Sequence, residues 1–189
     1  MAGAQDKMPM RTPTTLLSAA AAIVALLSAA PAEAFERQWH AGAAFGYALL
    51  TDPGTYPGFG GRLHLAYGLT DSFNALVEVD LASHPGGKTL VFGGSAGATY
   101  VVDILQWVPY VGLTVGGYDL VANRRCGGPG EPLCHDGRFA VAVPFGLDYA
   151  VTRDFAVGVA GKYALLIPAA EFPGSYFTAY ARAEFIWGY

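Results

Sequence analysis

Charge is scarce in this sequence. Only 14% of its 189 residues are charged, and 15 Asp and Glu against 11 Lys and Arg leave a net charge of −4. A mildly acidic chain lacks the basic patch that marks proteins binding nucleic acid. We therefore expect no nucleic-acid partner.

Long apolar runs are almost absent as well. The longest, residues 16–30, is shorter than the roughly 20 residues that a membrane-spanning helix needs. Two basic residues precede it and Ala32-Glu33-Ala34 follows it, a combination typical of a secretory signal peptide. We predict that residues 1–34 are a cleaved signal peptide, with an uncleaved anchor as the alternative. Residues 35–189 are then long enough for one domain.

Cysteine is rare too, because Cys126 and Cys134 are the only two in the chain. In an exported protein two neighbouring thiols are expected to form a disulfide, which here would close a Gly-rich loop. The alternative is a zinc site made of both thiols and His135, with Asp136 beside it. We favour the disulfide and expect neither a metal nor a cofactor.

Helical periodicity is missing after residue 35, and a period of two takes its place. In residues 139–151, large apolar side chains occupy every second position, which predicts a strand because successive side chains point to opposite faces. The same alternation predicts eight strands at residues 38–50, 59–69, 73–83, 90–104, 107–120, 138–151, 155–166 and 176–189.

The breaks between these strands differ in length. Those after strands two, four and six are tight, and those after the odd-numbered strands are predicted to be longer and rich in Pro and Gly. An even number of strands with short turns at one end and longer loops at the other is typical of transmembrane β-barrels. The alternative is a soluble barrel of the lipocalin kind.

The two faces of the strands favour the membrane. One face is apolar and bulky, and the other mixes Gly and Ala with charged residues. Because the interior of an eight-stranded barrel is just wide enough for side chains, the second face fits inside. The residues predicted to form a lumen charge network are Arg62, His64, Glu78, Asp80, Asp148, Lys162, Arg182 and Glu184.

A turn centred on Asp71 would fix the pairing of the second and third strands. Arg62 would then lie opposite Asp80, and His64 opposite Glu78. A register slipped by one pair would instead bring Arg62 near Glu78. In either register the charges are expected to neutralise one another, since unpaired buried charges are costly.

Aromatic side chains gather beside the tight turns and the C-terminus, which share one rim of the predicted barrel. Aromatic rings favour the headgroup level of a membrane. The predicted aromatic girdle consists of Tyr67, Tyr100, Trp107, Tyr149, Trp187 and Tyr189.

The chain resembles the small outer-membrane β-barrels of the OmpA and OmpX type. The resemblance covers residues 35–189 and rests on the alternation, on Tyr67-Gly68-Leu69-Thr70-Asp71, and on the C-terminal Phe185-Ile186-Trp187-Gly188-Tyr189. In that family the barrel-assembly machinery recognises a terminal aromatic residue that is preceded by apolar residues at alternate positions. Phe185, Trp187 and Tyr189 match this signal, with Tyr in place of the more usual Phe.

The resemblance implies an all-β, eight-stranded, antiparallel up-and-down transmembrane barrel in the outer membrane of a Gram-negative-type bacterium. It implies a monomer in contact with lipid and lipopolysaccharide, with a structural or surface-interaction role and no peptidoglycan-binding domain after the barrel. A narrow channel is the first alternative. The second is a lipid-modifying enzyme similar to the lipid A deacylases, but His40 and His64 have no Ser at a suitable spacing, so we expect no enzyme.

Overall fold

The computed structural model describes residues 36–51, 54–122, 134–167 and 174–188. Within these ranges no helix is long and apolar enough to span a membrane. The alternating segments form eight strands: β1 Trp39–Thr51, β2 Thr55–Gly68, β3 Phe73–His84, β4 Thr89–Val101, β5 Trp107–Ala122, β6 Cys134–Ala150, β7 Phe155–Ile167 and β8 Gly174–Trp187.

The sheet closes on itself. Each strand pairs antiparallel with the next, and β1 pairs with β8 from Trp39 opposite Trp187 to Thr51 opposite Ser175. Closure removes the unpaired edges that an open sheet would present. The prediction of an eight-stranded antiparallel barrel is confirmed.

The two ends of the barrel carry different connections. The turn end carries connections 69–72, 102–106 and 151–154, and the loop end carries 52–54, 85–88, 123–133 and 168–173. The loop between β1 and β2 is only three residues long. The prediction that every connection at the loop end is longer than the connections at the turn end was therefore wrong. β2 starts four residues earlier than predicted, because backbone groups beyond the apolar belt still find hydrogen-bond partners by pairing.

Two other strand boundaries differ from prediction by three residues or more. β6 begins at Cys134 rather than residue 138, where it continues to pair with β5. β4 ends at Val101 rather than residue 104, but Ile104 still pairs with Trp107 across a two-residue turn. Alternation marks the strand centres well and the ends poorly, since side chains at the ends leave the apolar belt.

Side chains alternate between the outer wall and the lumen. On the outer wall Phe45, Leu63 and Val159 are each more than 60% exposed, whereas Asp80 and Lys162 in the lumen are fully buried. A soluble barrel has the opposite distribution, with its apolar residues inside. The prediction that the apolar face points outward is therefore confirmed.

The lumen changes character along its length. Near the loop end it is packed by an apolar plug, which comprises Ala48, Leu50, Ala82, Val91, Tyr118, Leu120, Ala140, Ala142, Ala164, Leu166 and Tyr176. Charged side chains occupy the middle, and a cavity takes up the turn end. Paired charges thus fill only the central part of the lumen, although the sequence suggested that they fill it throughout.

Candidate functional site in the barrel lumen

Two cations and two carboxylates meet in the middle of the lumen and form what we term the charge layer. Lys162 Nζ donates to Asp80 Oδ2 at 2.5 Å and lies 2.8 Å from Glu78 Oε2. Arg62 Nε donates to Asp80 Oδ1 at 2.8 Å, and its Nη1 lies 3.3 Å from Glu78 Oε1. All four side chains are at most 4% exposed, so they neutralise one another away from bulk water.

Hydroxyl groups and aromatic rings complete the charge layer. Tyr118 OH donates to Asp80 Oδ2 at 3.0 Å, and Arg62 Nη2 donates to Thr178 Oγ1 at 2.9 Å. The Arg62 guanidinium also lies 5.3 Å from the centre of the Tyr180 ring. Tyr118 and Tyr180 were missed by sequence reasoning, although their even positions on β5 and β8 place them on the lumen face.

The observed strand register is the first of the two considered. Arg62 lies opposite Asp80 and His64 opposite Glu78. The side chains do not all follow this register, because His64 turns away from Glu78 and contacts Glu184 on β8. Strand pairing alone therefore does not determine which lumen charges meet.

A second polar cluster lies between the charge layer and the turn end. Glu184 bridges two imidazoles, with His40 Nδ1 2.8 Å from Oε1 and His64 Nε2 2.8 Å from Oε2. Arg182 pairs with Glu184 as well, and its Nη1 donates to Tyr110 OH at 2.6 Å. We call this cluster, together with Asp148, the vestibule floor: His40, His64, Tyr110, Asp148, Arg182 and Glu184.

The vestibule is a cavity of about 750 Å³ that lies between this floor and the turn end. Its rim includes exposed residues of the turns and of the segment just before β1, such as Arg37, Leu105 and Arg153, so it opens at the turn end. Partial burial beside it raises the pKa of the Asp103 carboxyl above its usual value. The alternation placed alanines on the inward face, but the cavity that they leave open was not predicted from the sequence.

The predicted girdle residues within the described ranges pair with aromatic neighbours at the turn end. Trp39 and Tyr67 have ring centres 4.7 Å apart, Trp107 and Tyr149 5.0 Å, and Phe185 and Trp187 5.9 Å. Tyr100 likewise lies 5.2 Å from the Phe73 ring. Tyr189, assigned both to this girdle and to the C-terminal assembly signal, lies outside the described residues.

The predicted disulfide can be described at one end only. Cys134 is buried at the start of β6, and Cys126 lies outside the described ranges, as does the predicted signal peptide. The disulfide stays a prediction. His135 points to the outer wall, where its Nδ1 lies 2.7 Å from Asp119 Oδ2. In the described part of the chain, no group of three or more His, Cys, Asp or Glu residues could hold a metal ion.

Solved structures share this architecture. Neisserial surface protein A matches with a TM-score of 0.63 and 18% identity, over 78% of this chain and 95% of that one. The fold is that of the small outer-membrane β-barrels. The N-terminal barrel domain of Pseudomonas aeruginosa OprF matches with a TM-score of 0.55 and 15% identity, over 80% of this chain and 98% of that domain.

Ail, the attachment invasion locus protein of Yersinia pestis, is another outer-membrane barrel with this fold. Its TM-score is 0.54 at 12% identity, over 81% of this chain and 100% of that one. No protein-family model matches the sequence, and no curated protein does either. At these identities the shared property is the barrel fold itself.

Proposed function

We propose that this chain is a non-conducting outer-membrane barrel of a Gram-negative-type bacterium, with a structural or surface-interaction role carried by its loop end. Residues 1–34 serve as its cleaved signal peptide, and the turn end faces the periplasm. The barrel acts as a monomer in contact with lipid and lipopolysaccharide. The proposal includes no enzymatic step and no cofactor.

The dimensions of the outer wall support insertion in a membrane. On β6 the outward apolar residues run from Phe139 to Tyr149, about ten residue steps. At roughly 3.3 Å per residue and a tilt of roughly 40°, they rise about 25 Å, which is the height of the apolar band of outer-membrane barrels. His135 and Asp119, which form a polar pair on the outer wall, lie beyond this belt at the loop end.

The blocked lumen is the observation on which the non-conducting role rests. Leu50, Leu166 and Tyr176 in the apolar plug are less than 2% exposed, and so is Lys162 in the charge layer below them. An ion crossing the barrel would have to pass both an apolar and a charged obstruction. Arg62 and Glu78 of the charge layer line the vestibule, so the cavity ends at the charge layer inside the barrel.

Electrophoretic mobility with and without boiling tests membrane location. Folded outer-membrane barrels resist SDS until they are heated, so protein from isolated outer membranes should shift in apparent mass on boiling. Recovery from the soluble periplasmic fraction with no heat-dependent shift would overturn the proposal and favour the lipocalin-like alternative.

Planar-bilayer recordings test whether the lumen conducts. The wild-type protein should stay at background conductance, because both obstructions are intact. Leu166→Ala with Tyr176→Ala thins the apolar plug and serves as a variant in which ion leakage should rise, provided that its heat-dependent shift is retained. Stable unitary currents in the wild type that change in Arg62→Ala would establish the narrow-channel alternative instead.

The proposal that the assembly machinery reads the last strand can be examined separately. Phe185 and Trp187 lie on the outer wall of β8, with their rings stacked 5.9 Å apart. We expect Phe185→Ser to reduce the amount of heat-modifiable barrel in cells while purified protein still folds in detergent. Equal loss in both settings would indicate a general folding defect rather than a lost signal.

A further inference from the structure

His84 is a buried histidine at the loop end of the lumen, where β3 ends. Its side chain is 0% exposed, and its ring lies edge-on to Tyr176 of the apolar plug with ring centres 6.1 Å apart. A Cβ added to Gly58 would come within 2.7 Å of His84 Nδ1, so the ring also lies directly against the backbone of β2. This imidazole belongs neither to the charge layer nor to the vestibule floor.

The hydrogen bond of the His84 ring shows where its proton lies. Nδ1 lies 2.8 Å from the carbonyl oxygen of Tyr56. Because a carbonyl oxygen only accepts, Nδ1 carries the hydrogen and donates it, which leaves Nε2 as the basic nitrogen. Nε2 is buried and makes no hydrogen bond to any described residue. A proton added to Nε2 would therefore bury a cation whose new N–H group has no acceptor, which is costly.

The groups around His84 offer a protonated ring no counter-ion. On its own strand the nearest acid is Asp80, about 13 Å of strand away, and Arg62 and Lys162 already pair with it. At the loop end of β6, Asp136 pairs with Arg138. The other described titratable groups at this end of the lumen are three tyrosines and one exposed cation, namely Tyr56 on β2, Tyr118 on β5, Tyr176 on β8 and Lys88 in connection 85–88.

The same ring holds the connection between β3 and β4 to the start of β2. Backbone pairing of β2 with β3 stops at Phe59 opposite Ser83, and the bond from His84 to the Tyr56 carbonyl lies beyond that point. The Tyr56 ring in turn covers Gly87, whose added Cβ would lie 3.0 Å from it. The connection is short and largely exposed, so water lies close to the buried ring.

We propose that His84 is an acid-sensitive switch of the loop end. While Nε2 is unprotonated, the ring stays in the lumen and holds the connection against β2. Once protonated, the ring is better solvated by water than by the plug, so it turns out towards the connection, releases the Tyr56 carbonyl and uncovers Tyr176. The charge layer stays closed below it, so the switch changes the surface of the loop end without opening a pore. It responds on whichever side of the membrane the loop end faces.

Hydrogen–deuterium exchange on the full barrel in phosphatidylcholine nanodiscs measures this opening. Exchange at about pH 7.5 and about pH 5.0 is divided by the intrinsic rate at each pH, which leaves the change in local opening. An imidazole in water titrates near pH 6.5, so opening should increase roughly 30-fold between these conditions if only the open state takes up the proton. We expect an increase of at least about tenfold in residues 81–91, and less than about twofold in residues 73–79 at the turn end of β3.

Two variants and one matched control assign the effect to this ring. His84→Asn can still donate an amide hydrogen to the Tyr56 carbonyl but takes up no proton, so its loop end should stay protected at both pH values. His84→Lys carries a charge at both pH values and should already be open at about pH 7.5. His135→Asn removes an exposed histidine from the outer wall at the loop end and should keep the wild-type response. The heat-dependent shift verifies that each variant is folded.

Three results would overturn the proposal. The first is loop-end exchange that does not change with pH after correction, and the second is an undiminished response in His84→Asn. The third is an equal acceleration in residues 73–79, which would indicate a general loss of stability in acid. None of these results bears on conductance or membrane location, so failure here leaves the proposed function standing.

Discussion

Lys162 is the buried cation whose removal tests the charge layer most directly. Its Nζ is held by Asp80 at 2.5 Å and by Glu78 at 2.8 Å. Lys162→Met keeps a side chain of similar length but leaves two buried carboxylates with only Arg62. Removing one partner of a buried ion pair costs about 3–5 kcal/mol, so we expect the free energy of unfolding to fall by about 4 kcal/mol.

A second variant separates lost charge balance from lost packing. In Lys162→Met/Asp80→Asn, one cation and one carboxylate remain, namely Arg62 and Glu78, and the amide oxygen of the new Asn can still accept hydrogen bonds. Neutral replacements of a buried pair are often tolerated, so the double variant should regain about 2 kcal/mol over Lys162→Met. If packing were the main loss, the second substitution would restore nothing.

Urea titration of the barrel in phospholipid vesicles measures these changes. Tryptophan fluorescence and the heat-dependent gel shift should report the same transition. Lys88→Met serves as the control, because Lys88 is exposed at the loop end and its replacement should change stability by less than about 0.5 kcal/mol. A loss below about 1 kcal/mol in Lys162→Met would refute the view that the charge layer is a tightly coupled buried network.

Three further predictions concern the barrel wall and one turn, measured by the same titration. Gly42→Ala should lower the free energy of unfolding by about 1–3 kcal/mol, because its new Cβ would collide with the His64 ring. Gly86→Ala is the control: its new Cβ meets no atom within 4 Å, so it should cost less than about 0.5 kcal/mol. Equal losses in the two variants would contradict this. Leu105→Gly should stabilise by about 0.5–1 kcal/mol because Leu105 has a φ of 62°, and any loss would argue against strain in that turn. Val79→Arg should cost about 2–4 kcal/mol in vesicles, and an arginine tolerated there would contradict a lipid-facing outer wall.

The alternation in the sequence was sufficient to predict the strands and the direction of their side chains. A period of two leaves no freedom about which face a residue joins once its strand is identified. The turn at Asp71 predicted Arg62 opposite Asp80 as one of two registers, and the structure has this one, because a short hairpin sets its own register. Local rules therefore determined strand number, order and faces.

Contacts across the lumen could not be predicted in the same way. Lys162 on β7 reaches Asp80 on β3, and these strands are not neighbours in the sheet. Such a contact depends on the tilt and stagger of the closed barrel, which sequence spacing does not reveal. Tyr110 shows the same limit: its even position on β5 places it in the lumen, but its contact with Arg182 on β8 again joins strands that are not neighbours in the sheet.

The position of Glu184 has a consequence for how the barrel is assembled. This residue on β8 holds His40 on β1 and His64 on β2, so its contacts form only after the last strand has met the first. Until then Glu184 and the two imidazoles lack these contacts, whereas Arg62 on β2 can already pair with Asp80 on the adjacent β3. Closing in a shifted register would move Glu184 away from both imidazoles and bury charges without partners. Pairing of the end strands in the correct register is therefore the step that brings Glu184 to both His40 and His64.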